Sequence, residues 1–315
     1  MRRSSTKWRG LVILAGVLIV AGLLLGACGS SSTDSSSPAA QSSPKAGGTY
    51  NYPLGADPVA IDPLTSYENM GMQVVHQVFQ GLVQSTVDDK GNVGAAPCIA
   101  ESWDTTDNQT WTFHLKKGVT FAAPVSREVK AQDFVDSWNY VTDEKNASPV
   151  SYILAPIEGC ESSGYQTDAK KGLTGVTAID DYTLEVKLQY PFADFVLSLL
   201  HPVSSAQPVD YIKQVGAKTF ALQPVGTGPY MMTAPWQHKR LIDLVKNPDY
   251  WDTANAGYVD AIHMPIITST QTEWLEFQKG ALDYSNVPPG QVRACLLYTS
   301  PSPRDRQKSR MPSSA

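Results

Sequence analysis

The chain has few of the residues on which catalysis or metal binding is usually built. Its five histidines, His76, His114, His201, His238 and His263, are scattered singly, and none stands at the spacing of a zinc site. No Gly-x-Ser-x-Gly nucleophile elbow occurs. Gly226 and Gly228 are followed by neither Gly-x-Gly-x-x-Gly nor Gly-Lys-Ser/Thr, so they read as turn glycines rather than a phosphate loop. Carboxylates are plentiful, but spacing alone singles out no glycosidase-like pair. No metal, cofactor or catalytic residue is therefore expected, and a hydrolase is only the runner-up reading. Cysteine is scarce, four in 315 residues, and no internal repeat is visible. Long apolar runs are also missing, apart from one.

That run, Leu11 to Leu25, follows a basic stretch of Arg2, Arg3, Lys7 and Arg9 and ends in Gly26-Ala27-Cys28. Residues 1–27 resemble a bacterial lipoprotein signal peptide, which implies cleavage before Cys28 and a diacylglycerol on its thiol. The alternative is a plain N-terminal membrane helix, for which the run is short against a span of about 20 residues. Residues 28–47 are mostly Ser with Ala, Pro and single charges, and have nothing apolar to bury. They are expected to form a flexible tether between the anchor and a folded body.

At the other end, Cys295-Leu-Leu-Tyr-Thr-Ser-Pro-Ser-Pro-Arg-Asp305 resembles the translation of a transposon-type sequencing adapter. Residues 295–315 are expected to be artefactual on that reading, and a Ser/Pro-rich natural tail on the other. The formal net charge of −5 understates the acidity of the body, because both ends are net basic. An acidic body argues against nucleic acid or anionic lipid as a partner. With Cys28 assigned to lipid and Cys295 to the tail, Cys98 and Cys160 remain. In an exported protein they either pair or stay as two buried thiols, and spacing does not decide between these.

Along the body, Gly48 to Leu54 alternates like a first strand, and Ile61-Asp62-Pro63 breaks into a loop. Val74, Val75, Val78, Phe79 and Leu82 recur at helical spacing, which predicts a helix over 70–83. Asp88 to Gly91 reads as a turn between strands. Trp111 to Lys117 and Tyr182 to Leu188 read as strands, the first with one wet face, and Ala131 to Val141 as a helix. Strands and helices interleave, which points to an α/β body. Trp103, Trp111, Trp138 and Trp251 are read as core packing rather than ligand platforms.

Ala100-Glu-Ser-Trp-Asp104, Trp111-Thr-Phe-His-Leu-Lys-Lys-Gly118, Ala131-Gln-Asp-Phe-Val135 and Asn146-Ala-Ser-Pro149 stand in an order that continues through Gly226-Thr-Gly-Pro-Tyr230, Asn247-Pro-Asp-Tyr-Trp251 and Gly280-Ala-Leu-Asp283. The ordered set resembles the extracytoplasmic solute-binding proteins, family 5, that serve peptide ABC transporters, and reads most like the oligopeptide branch. The resemblance covers residues 48–294. It implies a two-lobed, periplasmic-binding-protein-like (type II) α/β fold, with a subdomain at about 84–205 inserted in the first lobe and the second lobe largely missing. It also implies a monomeric receptor, tethered outside the cell membrane, that closes on an extended peptide and delivers it to permease subunits. A tethered sensor with the same fold is an alternative. In this family one peptide-contacting segment maps to Tyr67, Glu68 and Asn69. A second contact is an aromatic, aligned here with Val150, with Tyr152 nearby.

Overall fold

The computed structural model describes residues 45–292. The expected signal peptide, the expected lipidation site at Cys28, nearly all of the expected tether and the tail at 295–315 lie outside the described residues.

Strand β1 (Thr49–Asn51) leads through a long loop to helix α1 (Asn69–Val78). A hairpin of β2 (Val83–Val87) and β3 (Val93–Pro97) follows, then β4 (Ala100–Thr105), β5 (Thr110–Leu115) and helix α2 (Ala131–Thr142). After a stretch of turns come β6 (Val176–Asp180), β7 (Thr183–Lys187) and the short helices α3 (Phe195–Ser198), α4 (Val209–Val215) and α5 (Ala217–Leu222). The chain closes with β8 (Tyr230–Met231), β9 (Leu241–Lys246), β10 (Ala261–Pro265) and α6 (Thr270–Gln278).

These strands form two four-stranded sheets and the separate hairpin. One sheet has the order β1-β10-β9-β8, with β1 parallel to β10 and the other pairs antiparallel. The other, β4-β5-β7-β6, is antiparallel throughout. Each has its own core. Val74, Val75 and Val78 of α1 pack with Ile242, Leu244 and Met264 of the first sheet. Trp111, Phe113, Leu184 and Val186 of the second sheet pack with Phe134 and Trp138 of α2. The chain thus leaves the first sheet after β1, builds the second, and returns at β8.

Local chemistry explains the element ends. In the hairpin turn, Asp88 Oδ1 accepts the N–H groups of Lys90 (2.9 Å) and Asn92 (2.8 Å). Helix α2 starts where Lys130 N–H donates to Asp133 Oδ2 at 2.8 Å, while Asp133 N–H donates to the Lys130 carbonyl at 3.0 Å. Asp133 is buried, and Arg127 neutralises it from 2.8 Å while also reaching Asp210 of α4. That shared guanidinium ties α2 to α4.

The helix expected over 70–83 stops at Val78. Phe79 turns extended after closing its N–H on Val75 O, and Leu82 O accepts from Cys98 and Ala100 N–H at 3.2 and 2.9 Å. The apolar residues that prolong the helical pattern are thus engaged in a long-range pairing. Trp111 and Trp138 are buried, and Trp103 and Trp251 pack on the same core, as read from the sequence. Cys98 and Cys160 are both buried free thiols, so of the two readings the structure holds the unpaired one. Burial pushes Cys98 up to about 11 and Cys160 up to about 12, which keeps both protonated.

Candidate functional site

The loop between β1 and α1 is built around Asp62. Its carboxylate accepts Thr65 N–H at 3.1 Å and Thr65 Oγ1–H at 2.8 Å, and its carbonyl accepts Ser66 N–H at 3.0 Å. Asp62 is only 4% exposed. Burial pushes its carboxyl up from the ordinary carboxylate range, and the Thr65 hydrogen bonds oppose that rise.

The three residues aligned with a peptide-contacting segment follow at once. Glu68 is the N-cap of α1: its Oε2 accepts Met70 N–H at 2.6 Å, and its Oε1 accepts Gly71 N–H at 2.7 Å and Val59 N–H at 3.1 Å. The Glu68 carboxylate is therefore engaged within the protein, and its carbonyl accepts Met72 N–H at 3.0 Å, which leaves the main-chain N–H for any ligand. Asn69 Oδ1 accepts from Gln73 Nε2 at 3.0 Å on the exposed start of the helix. Tyr67 is 58% exposed, and among the described residues neither its backbone N–H nor its C=O has a hydrogen-bond partner. Free main-chain groups beside an exposed ring are what an extended chain can pair with.

The second aligned contact is placed differently. Val150 is 3% exposed and belongs to the core of the second sheet, so its side chain cannot serve as a platform. Its apolar character allowed it to turn inward where an aromatic was expected. Tyr152, two residues on, is 59% exposed and is the outward ring of this segment. Although far apart in sequence, the two segments are joined: Ser148 Oγ–H donates to Leu64 O at 2.6 Å. Sequence reasoning passed over Ser148 and Asp62. Both lay inside quoted stretches, but nothing in those stretches marks a buried hydroxyl or carboxylate as the one that closes a turn.

Among the described residues no group of three or more His, Cys, Asp or Glu could hold a metal ion. A hollow between α1 and the first sheet is lined by Tyr50, Tyr52, Tyr230 and Met264, and contains none of the aligned contact residues.

Solved structures share this overall fold. The substrate-binding domain of an oligopeptide ABC transporter from Bacillus anthracis matches with a TM-score of 0.71 and 27% identity, over 78% of this chain and 46% of that one. Haemophilus influenzae OppA in complex with RPPGFSPFR matches with a TM-score of 0.66 and 26% identity, over 79% and 48%. The fold is that of the two-lobed α/β periplasmic binding proteins. A family model described as bacterial extracellular solute-binding proteins, family 5 Middle, matches residues 94–307, and the chain belongs to this family. Among curated relatives, the periplasmic oligopeptide-binding protein OppA of Escherichia coli is 32% identical over 236 residues, which is 74% of this chain and 42% of the relative. The oligopeptide-binding protein OppA of Bacillus subtilis is 30% identical over 275 residues, 87% of this chain and 49% of the relative. The chain spans about half the length of the curated relatives it matches.

Proposed function

We propose that the whole protein is the membrane-anchored, substrate-binding component of a peptide ABC importer. It binds extended peptides in a cleft between lobes, and one wall of that cleft is formed by Tyr67, Glu68, Asn69 and Tyr152. The observation that carries this reading is the pair of unpartnered main-chain groups at Tyr67, set beside an exposed ring on a loop braced by Asp62. Main-chain pairing gives affinity without demanding a sequence, and aromatic faces add apolar contact. A core of its own, drawn almost wholly from residues 82–206, supports reading about 84–205 as a subdomain inserted in the first lobe. Peptide titration of the full-length protein, with turnover followed in the same sample, tests the reading. Saturable binding with intact peptide supports a receptor, whereas cleavage would favour a hydrolase.

The anchor is part of the proposal. Cys28 carries acyl chains that hold the body near its permease, with each buried methylene contributing about 0.8 kcal/mol. Cys28→Ser is expected to shift the protein from the membrane pellet to the soluble fraction in detergent-free fractionation. A mutant that stays in the pellet would point to a helix anchor instead.

A further inference from the structure

We propose that Ser148 is a positioning residue that straps the 148–152 segment to the 62–69 loop, so that the exposed Tyr67 and Tyr152 are carried by one rigid body. The proposal rests on the reading of those two tyrosines as peptide contacts and adds how they are held.

Ser148 is 1% exposed, and both its hydroxyl and its carbonyl are used. Its Oγ–H donates to Leu64 O at 2.6 Å, the bond that crosses between the segments, and the same oxygen accepts Val150 N–H at 3.4 Å. Its carbonyl accepts Ser151 Oγ–H at 3.2 Å and Tyr165 O–H at 3.3 Å. Leu64 is one of the two turn residues between Asp62 and Thr65, so the crossing bond lands on the part of the first loop that the Asp62 carboxylate already fixes. Tyr152 is backed from behind. Gly164, at φ +84, lies so close that a Cβ there would meet the Ser151 carbonyl carbon at 2.2 Å, and Ser151 Oγ–H also reaches Ser163 O at 3.3 Å. Three stretches distant in sequence therefore meet at one hydroxyl and one carbonyl. A contact surface assembled from two loops holds a ligand well only if the loops do not move independently, because ordering them on binding subtracts from affinity.

The test is amide hydrogen exchange on the whole chain, comparing Ser148→Ala with Ser151→Ala. Ser148→Ala removes the crossing bond and is expected to speed exchange at least about tenfold in both 146–156 and 60–68. Ser151→Ala leaves that bond in place and is expected to loosen 146–166 alone. If Ser148→Ala leaves 60–68 unchanged, the strap is wrong. In the unmutated chain, which needs no variant to fold, the amides of Ser66 and Ile153 are expected to share one denaturant dependence, and two independent dependences would overturn the proposal. In the full-length protein Ser148→Ala is further expected to weaken peptide affinity about tenfold. Coupled exchange in a full-length protein that binds no peptide would keep the strap and reject the contact reading, so the two failures are distinguishable.

Discussion

Trp138→Ala is expected to destabilise the protein by about 3–5 kcal/mol, the range for removing a buried aromatic and leaving a cavity. Trp138 has no exposed surface and is the largest wholly buried side chain in the core of the second sheet. Its ring meets Phe134 edge-on at 6.3 Å and 81°, and its indole N–H donates to Ser204 O at 2.8 Å. Truncation therefore loses the apolar contact, opens a void between α2 and the turn at 202–204, and leaves the Ser204 carbonyl without its donor. A domain's net stability is about 5–15 kcal/mol, so the variant is expected to retain little margin. Trp138→Phe keeps most of the volume and isolates the lost hydrogen bond at about 1–2 kcal/mol. Urea unfolding followed by circular dichroism measures both. A loss below about 1 kcal/mol for Trp138→Ala would show that the turn at 202–204 closes over the cavity.

Gly71→Ala is expected to destabilise as well, against the usual sign. Alanine in place of glycine within a helix normally gains about 1 kcal/mol. Gly71 lies in the first turn of α1, where the loop between β1 and α1 doubles back over the helix. A Cβ there would lie 2.0 Å from Ala60 O and 2.6 Å from both Glu68 Oε1 and Ser66 Oγ. The first of these is backbone and cannot rotate away, so either the loop lifts or the helix start frays. Overpacking of this kind costs about 1–3 kcal/mol, and with the backbone contact at the severe end the sum is expected to be a net loss of up to about 2 kcal/mol. Because the displaced loop carries Tyr67 and Glu68, peptide affinity in the full-length protein should fall with stability. A rise in melting temperature for Gly71→Ala would contradict the close approach.

Periodicity reads well where an element is amphipathic and self-contained. Helix α2 and strands β5 and β7 were legible because their apolar faces repeat at 3.6 or 2 residues and all turn to one core. Helix α1 was legible in existence but not in length, since Leu82 is apolar in phase with the helix yet pairs with Cys98 and Ala100. The candidate site was read as a stretch, and the surroundings of its side chains were not legible. Resemblance placed Tyr67 through Asn69 together, but nothing local says that the Glu68 carboxylate caps its own helix or that Val150 turns inward. The strap at Ser148 was hidden for the same reason: a hydroxyl shows its partner only after the chain has brought Leu64 to it. Long-range closure, rather than local propensity, is what residue patterns leave open.

The central proposal is peptide binding at a cleft of which these loops form one wall. Calorimetric titration with a mixed pool of tripeptides to pentapeptides, run in parallel on the full-length protein and on residues 29–294, measures it. The predicted result is saturable micromolar binding by the full-length protein, without turnover, and no binding by residues 29–294. Micromolar binding by residues 29–294 alone, or none by the full-length protein, would contradict the account.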